Sequence, residues 1–206
     1  MARWQIIRYD EMIMKICIIG APSSGKSVFA RSLSAEMTKR GYSCDLVQEY
    51  ASNYIEIVGA PLYAWEQLMI SLGQYLAEQK TTRDFMVTDA AAFATYVYAQ
   101  RMLPQKTHSF DWPRYRHLLD MLRQMARISL DSYDMIFLMT HIFPPRVDGG
   151  ARLKDQLSRK ACQEISRDLE AYLNSERMEY HRLKANAADS ITKAMRIIEA
   201  RMKVRA

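Results

Sequence analysis

One short segment limits what this chain can fold into more than any other. Residues 20–27 read GAPSSGKS: a glycine, four variable residues, a second glycine, a lysine and a serine. This spacing is typical of a phosphate-binding loop when a strand precedes it and a helix follows it. Residues 14–19 form a short apolar run rich in β-branched side chains, and residues 26–40 carry apolar side chains at helical spacing before Gly41. The context therefore predicts a strand, a phosphate loop and a helix; an ordinary glycine-rich turn is the alternative.

The fixed positions of this loop each have a physical task. Gly20 and Gly25 allow backbone N–H groups to approach phosphate oxygens closely, and the positive end of the following helix adds to the attraction. Lys26 is expected to reach the β- and γ-phosphates, and the Ser27 hydroxyl to bind Mg²⁺. The expected phosphate-binding residues are Gly20, Ser23, Ser24, Gly25, Lys26 and Ser27. We predict a site for a nucleoside triphosphate with Mg²⁺, and we favour ATP over GTP because no guanine-reading motif is visible.

The rest of the chain alternates strands with helices. A chain of 206 residues has the length of one domain, and we predict an N-terminal extension over 1–13 and a single domain over 14–206. Further strands are predicted at 44–47, 85–88, 135–139 and, weakly, 180–183. Helices are predicted at about 61–82, 90–102, 114–130 and 155–173, with a loop over 104–113 and Asp189 as the N-cap of a last helix. This alternation favours an α/β fold, a three-layer sandwich with a five-stranded parallel sheet covered by helices on both faces.

Composition excludes several classes of protein. Hydrophobic residues make up 49% and charged residues 25% of the chain, the balance of a globular protein rather than a disordered one. The longest apolar stretch, Met12 to Pro22, is too short to span a bilayer and contains Lys15, so we expect no membrane segment. Cys17, Cys44 and Cys162 are odd in number and widely spaced, so we expect reduced thiols and a soluble, cytoplasmic protein. The net charge of +6 suits phosphate-bearing ligands as well as nucleic acid, and it leaves the oligomeric state open.

Two acidic residues follow predicted strands at the edge where the loop lies. Asp89 ends the strand FMVT, and Glu49 follows the strand at 44–47. Ligands of parallel sheets bind at the carboxyl ends of the strands, so both carboxylates are expected near the phosphates. Asp89 is the expected second contact for Mg²⁺, with helix N-capping as an alternative or additional role. Glu49 is expected to accept a hydroxyl proton or to hold a ribose, and the alternative is a solvated loop carboxylate.

An irregular segment with two prolines and two glycines follows the fourth predicted strand. Arg146, Asp148 and Arg152 flank its glycines, and Arg159 lies one or two helical turns further on. Glycine-containing loops with arginines can close over phosphates and stabilise transferred charge. We therefore predict a lid over about 141–160, with Arg146 and Arg159 as nucleotide-binding residues and Arg152 as a catalytic residue. A plain surface loop is the alternative.

Together these motifs resemble the small P-loop kinase and ATPase family typified by bacterial ribosylnicotinamide kinase domains, an AAA-type, nucleoside kinase-like group. The resemblance covers most of residues 14–200 and rests on GAPSSGKS, on QEYA after the second strand, on VTDAAAFATYVYAQ around the third, and on YDMIFL followed by Pro144, Asp148, Gly149 and Arg152. It implies the kinase-like sheet order 2-3-1-4-5, an arginine lid over the nucleotide, and Glu49 and Asp89 facing the acceptor and the metal. Ser52 and Asn53 stand where the family usually has an arginine after Glu-Tyr-Ala, a departure on the acceptor side.

Three functions are compatible with this interpretation. The leading one is a P-loop kinase that transfers a phosphoryl group from ATP to a hydroxyl of a nucleoside-like or nucleotide-like substrate, with Lys26, Glu49, Asp89 and Arg152 as catalytic residues. A second is a phage-type kinase that phosphorylates a hydroxymethylated base in DNA through a basic and aromatic groove around 101–116. The residues of that groove would be Arg101, Lys106, His108, Trp112, Arg114 and Arg116, for which a solvated basic loop is the alternative. The third is a nucleotide-dependent ATPase switch that transfers nothing.

Overall fold

The computed structural model describes residues 13–59, 64–106, 112–143, 158–184 and 187–205. Five strands form one sheet: β1 Met14–Gly20, β2 Cys44–Val47, β3 Phe85–Thr88, β4 Met135–Met139 and β5 His181–Leu183. Their order across the sheet is β2-β3-β1-β4-β5, and every neighbouring pair is parallel. The five-stranded parallel sheet and its order 2-3-1-4-5 are therefore confirmed. The predicted extension over 1–13 lies almost entirely outside the described residues, so the domain division stays a prediction.

Helices fill the connections between the strands in the part of the chain that the structure describes. They are α1 Lys26–Lys39, α2 Tyr50–Val58, α3 Ala64–Glu78, α4 Ala92–Lys106, α5 Trp112–Asp131, α6 Arg159–Ser175 and α7 Ala187–Arg205. Parallel neighbours need such crossovers, because a short hairpin cannot return the chain to the same end of the sheet. Among these described helices, none is both long and apolar enough to cross a membrane.

The central strand β1 is buried on both faces, which explains its continuous apolar run. All of its residues are buried, and alternate side chains enter opposite layers. Ile16 and Ile18 belong to a core shared with α1 and α7, whereas Cys17 and Ile19 belong to a core shared with α4, α5 and α6. Helices thus cover both faces, and the predicted three-layer sandwich is confirmed. Because all five strands are parallel, their carboxyl ends lie at one edge, where β1 leads into the loop.

Helix α2 is the largest difference from the sequence prediction, which placed no element between Glu49 and Pro61. None of the residues of α2 is buried. The helix has nine residues, which is shorter than the window in which helical periodicity is recognised. Helix α3, predicted to reach about Thr82, ends at Glu78.

The ends of α4 and α5 also differ from prediction. The backbone of α4 stays helical through Pro104 to Lys106, where the sequence predicted a loop. A proline holds φ near the helical value, so it removes one N–H hydrogen bond without having to end the last turn. Helix α5 begins at Trp112, which puts Pro113 in its first turn. There the missing proline N–H would have no partner within the helix in any case.

The starts of α6 and α7 were predicted less well than their existence. Helix α6 begins at Arg159, and its N-cap Ser158 accepts a hydrogen bond from Ala161 N at 3.1 Å. The predicted first residues of this helix, 155–157, lie outside the described residues. Helix α7 begins at Ala187, so the prediction of Asp189 as its N-cap is wrong. Asp189 lies in the first turn instead, where the positive end of the helix dipole stabilises its negative charge.

Candidate active site

The phosphate loop follows β1 directly and turns in a way that requires its glycines. A Cβ at Gly20 would overlap the Ser24 hydroxyl and lie 3.0 Å from a carbonyl oxygen of β4. Ser23 and Gly25 both have positive φ, at 60° and 81°. Such conformations turn successive N–H groups toward one point, which makes an anion-binding cradle. Helix α1 begins at Lys26, so its positive end faces the same cradle.

Two further observations fit ligand binding at this loop. Ser24 Oγ is buried and has no hydrogen-bond partner within the described ranges. Such a group is unusual in a folded protein, and a phosphate oxygen would satisfy it. The segment after β4 also reaches the loop, because Phe143 N donates a hydrogen bond to Ser23 O at 2.9 Å. The beginning of the predicted lid is therefore tied to the phosphate loop.

Both predicted acids lie near Lys26, the lysine of the phosphate loop. Lys26 Nζ lies 3.5 Å from Glu49 Oε1, and the two side chains are only 10% and 16% exposed. Ser27 and the charge of Lys26 both lower the pKa of the Asp89 carboxylate, which places all three residues close together. Residues so distant in sequence meet here because β1, β2 and β3 are neighbours that end at one edge of the sheet. The structure thus brings Lys26, Ser27, Glu49 and Asp89 together, and their catalytic roles stay predictions.

Asp89 occupies a position that suits a metal ligand. Burial raises the pKa of Asp89 to about 6, against the lowering effects of Lys26 and of the Ser27 hydrogen bond. Its Oδ1 atom is buried and has no hydrogen-bond partner among the residues described. A carboxylate with a spare oxygen beside a serine hydroxyl is a donor set that Mg²⁺ takes in nucleotide sites. The residues present therefore fit the predicted metal. The alternative role is not observed, because α4 begins at Ala92 and Asp89 is not its N-cap.

Glu49 stands at the N-cap position of α2, but its side chain does not cap that helix. Its Oε2 atom accepts a hydrogen bond from Ser52 Oγ at 2.7 Å, and its Oε1 atom faces Lys26. A side chain with so little exposure differs from a solvated loop carboxylate. It lies instead beside the lysine that is expected at the γ-phosphate, which is where a group that orients an acceptor hydroxyl has to lie.

The predicted lid residues fall mostly outside the described part of the chain. Arg146, Asp148 and Arg152 lie in the range 144–157, of which nothing is described. Arg159 is the first residue of α6, and its side chain is exposed. The lid and the roles of its arginines therefore stay predictions.

The basic and aromatic cluster predicted for DNA is divided by the structure. Arg101 forms ion pairs with Glu164 and Asp168, so its charge joins α4 to α6. Arg116 is exposed on α5. His108 lies outside the described residues, as do the side chains of Lys106, Trp112 and Arg114. Arg101 is thus already engaged within the protein, which weakens its assignment as a DNA contact.

A cavity of about 590 Å³ lies at the carboxyl ends of β4 and β5, on the other side of β1 from the two acids. Its walls come from the ends of those strands, from α6 and from the start of α7. They include the charged side chains of Arg167, Asp189 and Lys193 and the apolar side chains of Ile142 and Leu183. A mixed polar and apolar cavity at this edge is typical of a small-molecule site.

Sequence reasoning missed two residues of α3 that form hydrogen bonds next to the two acids. Gln74 of α3 accepts a hydrogen bond from Tyr50 N at 2.8 Å and donates one to Thr88 Oγ1 at 3.0 Å. Glu78, one helical turn later, lies 3.1 Å from Gln74 Nε2. The available signal is the pair Gly73-Gln74 inside the apolar run LMISLGQYL, because a glycine in a helix interior usually has a packing reason.

Comparison with known proteins gives a family match and a set of similar folds. The family model described as an AAA domain matches residues 15–189, most of the chain. No curated protein matches this chain. Similar solved structures include NadR protein in complex with NAD and AMP-PNP, at 19% identity and a TM-score of 0.60, covering 84% of this chain and 45% of that chain. NadR protein in complex with NR is 19% identical, with a TM-score of 0.61, and the match covers 85% of this chain and 46% of that chain. Deoxyadenosine kinase from M. mycoides with bound dATP is 16% identical, with a TM-score of 0.58, and the match covers 90% of this chain and 99% of that chain.

The likeness to these structures concerns the fold. This chain spans less than half of the NadR chains and nearly all of the deoxyadenosine kinase chain. Together with the family match, it confirms the resemblance to the P-loop, nucleoside kinase-like family that the motifs indicated. The kinase-like nucleotide-binding fold is therefore observed, and the substrate is a separate question.

Proposed function

This chain belongs to the family of AAA domains and has a kinase-like P-loop fold, and we propose that it is an ATP-dependent kinase acting on a hydroxyl of a nucleoside-like small molecule. The observation that carries the proposal is the convergence of Glu49 and Asp89 on Lys26 and Ser27. A nucleotide-binding loop alone serves switching, hydrolysis and transfer equally. A second carboxylate beside the lysine, in addition to the one that fits the metal, favours transfer to a positioned hydroxyl.

The donor ATP binds with its phosphates on the loop. Backbone N–H groups of residues 23–27 and the positive end of α1 hold the phosphate oxygens. Ser24 Oγ, which has no partner in the described part of the chain, supplies one more donor. Lys26 neutralises charge on the β- and γ-phosphates. Ser27 and Asp89 would hold Mg²⁺, which would neutralise charge on the transferred phosphoryl group.

The sheet order supports opposite sides for the two substrates. Glu49 and Asp89 follow β2 and β3 on one side of β1, whereas the cavity lies at β4 and β5 on the other. A triphosphate on the loop after β1 therefore directs its γ-phosphate toward the acids and its nucleoside toward the cavity. The β2 and β3 side, with α2 and α3 beside it, is left for the acceptor.

The reaction is a direct transfer between two oxygens. The acceptor oxygen bonds to the γ-phosphorus while the bond from that phosphorus to the β–γ bridging oxygen breaks, and ADP leaves with the bridging oxygen. Because the transition state is loose, Glu49 orients the hydroxyl and takes its proton only late. The lid arginines Arg146, Arg152 and Arg159 supply positive charge and exclude water.

Transfer of label from ATP carrying a labelled γ-phosphate tests the proposal against its alternatives. The acceptors are panels of nucleosides and nucleotides, and duplex DNA with and without hydroxymethylated bases. We expect label in a nucleoside or nucleotide, and none with Lys26→Ala. Label in hydroxymethylated DNA would replace the proposed acceptor by a DNA base. Release of phosphate with no labelled acceptor would overturn both kinase functions and favour an ATPase switch.

A further inference from the structure

Gln74 is buried in α3 and contacts the immediate neighbour of each strand-end acid. Gln74 is only 2% exposed. Oε1 accepts a hydrogen bond from Tyr50 N at 2.8 Å, and Tyr50 directly follows Glu49. Nε2 donates a hydrogen bond to Thr88 Oγ1 at 3.0 Å, and Thr88 directly precedes Asp89. One amide group thus joins the start of α2 to the end of β3.

The orientation of the Gln74 amide is set by its partners. A backbone N–H can only donate, so Tyr50 N requires the Oε1 atom. Thr88 Oγ1 donates its own proton to Ala90 O at 2.7 Å and is therefore an acceptor toward Nε2. Nε2 also donates to Glu78 Oε1 at 3.1 Å. A flipped amide would oppose one N–H group to another, so only one orientation satisfies all these contacts.

The neighbouring Gly73 makes room for the same residue that Gln74 holds. A Cβ at position 73 would overlap the aromatic ring of Tyr50. Glycine in a helix interior lowers helix stability relative to alanine, so its presence in α3 is explained by the ring that packs on it. Two adjacent residues of α3 therefore hold Tyr50, one through its backbone N–H and one through its ring.

Glu78 ties the same stretch of α3 to the sheet. It is buried, and both of its carboxylate oxygens accept a hydrogen bond from Tyr133 OH, at 2.8 and 2.9 Å. Tyr133 lies just before β4. Helix α3 is therefore joined to the sheet at two points, through Gln74 to Thr88 and through Glu78 to Tyr133, and Gln74 also contacts Glu78.

We propose that Gln74, with Gly73 beside it, is a positioning residue that holds Glu49 and Asp89 in one arrangement relative to the phosphate loop. It acts through Tyr50 and Thr88 rather than by touching a substrate. The loop itself is held by contacts with β4 and with the segment that follows it. The kinetic consequence of this proposal rests on the proposed kinase function, whereas its structural consequence does not.

The experiment compares two pairs of variants. Gln74→Met is matched with Gln79→Met, and Gly73→Ala with Leu72→Ala. Gln79 and Leu72 are exposed on or directly after the same helix, so each control introduces the same side chain away from the acids. Calorimetry measures ATP binding with and without Mg²⁺, and hydrogen exchange measures the protection of the Tyr50 amide. Label transfer gives kcat and KM for ATP.

We expect Gln74→Met to keep its Mg²⁺-free affinity for ATP within about twofold and to lose most of the gain that Mg²⁺ gives, because Asp89 is displaced and the loop is not. Exchange of the Tyr50 amide should become at least about tenfold faster. Transfer should lose about tenfold or more in kcat with little change in KM for ATP. Gly73→Ala should give the same pattern, and it keeps the test decisive if Gln74→Met does not fold.

Several results would overturn the positioning role. Equal losses of ATP affinity with and without Mg²⁺ would indicate a general structural role. Variants at Gln74 and Gly73 that behave like their controls, or a Tyr50 amide whose exchange does not change, would remove it altogether. If the wild-type protein labels no acceptor, the kinase function fails, and the binding and exchange measurements still decide the role of Gln74.

Discussion

The two halves of this site are built in different ways. The phosphate loop is formed by contiguous residues, whose conformation follows from two glycines and from the strand and helix on either side. The acids are held by Gln74, which is 24 residues from Tyr50 and 14 residues from Thr88. A local motif therefore suffices to recognise the donor half, whereas the acceptor half depends on tertiary contacts. The predictions below test this difference, from the largest expected effect to the smallest.

The largest effect is expected where the two halves meet. Lys26→Ala removes the charge that neutralises the β- and γ-phosphates and the ion pair with Glu49. We expect label transfer to fall at least about a thousandfold. Lys39→Ala is the matched control, because the Lys39 side chain is on the same helix and 81% exposed. A Lys26→Ala protein that retains transfer within about tenfold of the wild type would contradict the assignment of the donor half.

The buried support of the acceptor half predicts a pH-dependent stability. Burial raises the pKa of Glu78 from 4.5 to about 7, although its hydrogen bonds lower it. The native state therefore holds this proton more tightly than the unfolded chain, so the free energy of unfolding falls as pH rises from about 4.5 to about 7 and stays lower above that. Glu78→Gln stays neutral, and we expect it to gain on the order of 3 kcal/mol over the wild type at about pH 8 and almost nothing at about pH 4.

Urea unfolding at several pH values measures this difference. Glu56→Gln is the control, since Glu56 is exposed on α2 and its substitution should leave the pH dependence unchanged. A Glu78→Gln protein whose stability falls with pH as steeply as that of the wild type would contradict the burial effect.

A smaller effect on transfer is expected at Glu49 itself. Glu49→Gln keeps the size of the side chain and removes its charge, so we expect kcat to fall about ten- to a hundredfold. Affinity for ATP with Mg²⁺ should change less than kcat, because Lys26, Ser27, Asp89 and the N–H groups of the loop all remain when the ion pair with Lys26 is lost. Glu56→Gln again serves as the control, and calorimetry together with label transfer separates the two halves. If ATP affinity falls as much as kcat, the donor and acceptor halves are not separate, and the proposed division is wrong.

The smallest effect is expected at the hydroxyl that supports Glu49. Ser52→Ala removes the hydrogen bond from Ser52 Oγ to Glu49 Oε2, which is an exposed contact. We expect kcat to fall only about two- to threefold, because Lys26 still holds the other oxygen. Asn53→Ala, at an exposed position of the same helix, should match the wild type. A loss as large as that of Glu49→Gln would show that Ser52 has a direct role.

The extent to which sequence predicted this molecule follows the same division. Strands β1, β3 and β4 are mostly apolar and buried throughout, which made them easy to find, whereas β2 and β5 are less buried and β5 was predicted only weakly. The motifs led to the order of the strands through a family resemblance. The loop was found in full because its glycines and Lys26 are adjacent in sequence. Glu49 and Asp89 were found because they closely follow strands. Helix α2 and the contacts of Gln74 were missed, because a nine-residue helix is shorter than the window in which helical periodicity is recognised, and a hydrogen bond between distant elements leaves no local signal.

The division into a donor and an acceptor half is tested most directly by a crystal structure with a non-hydrolysable ATP analogue and Mg²⁺. We expect the phosphate oxygens on the N–H groups of residues 23–27, the metal in contact with Ser27 and Asp89, and the nucleoside in the cavity at β4 and β5. A nucleoside of the donor bound beside Glu49, or a triphosphate bound away from the loop, would contradict this assignment.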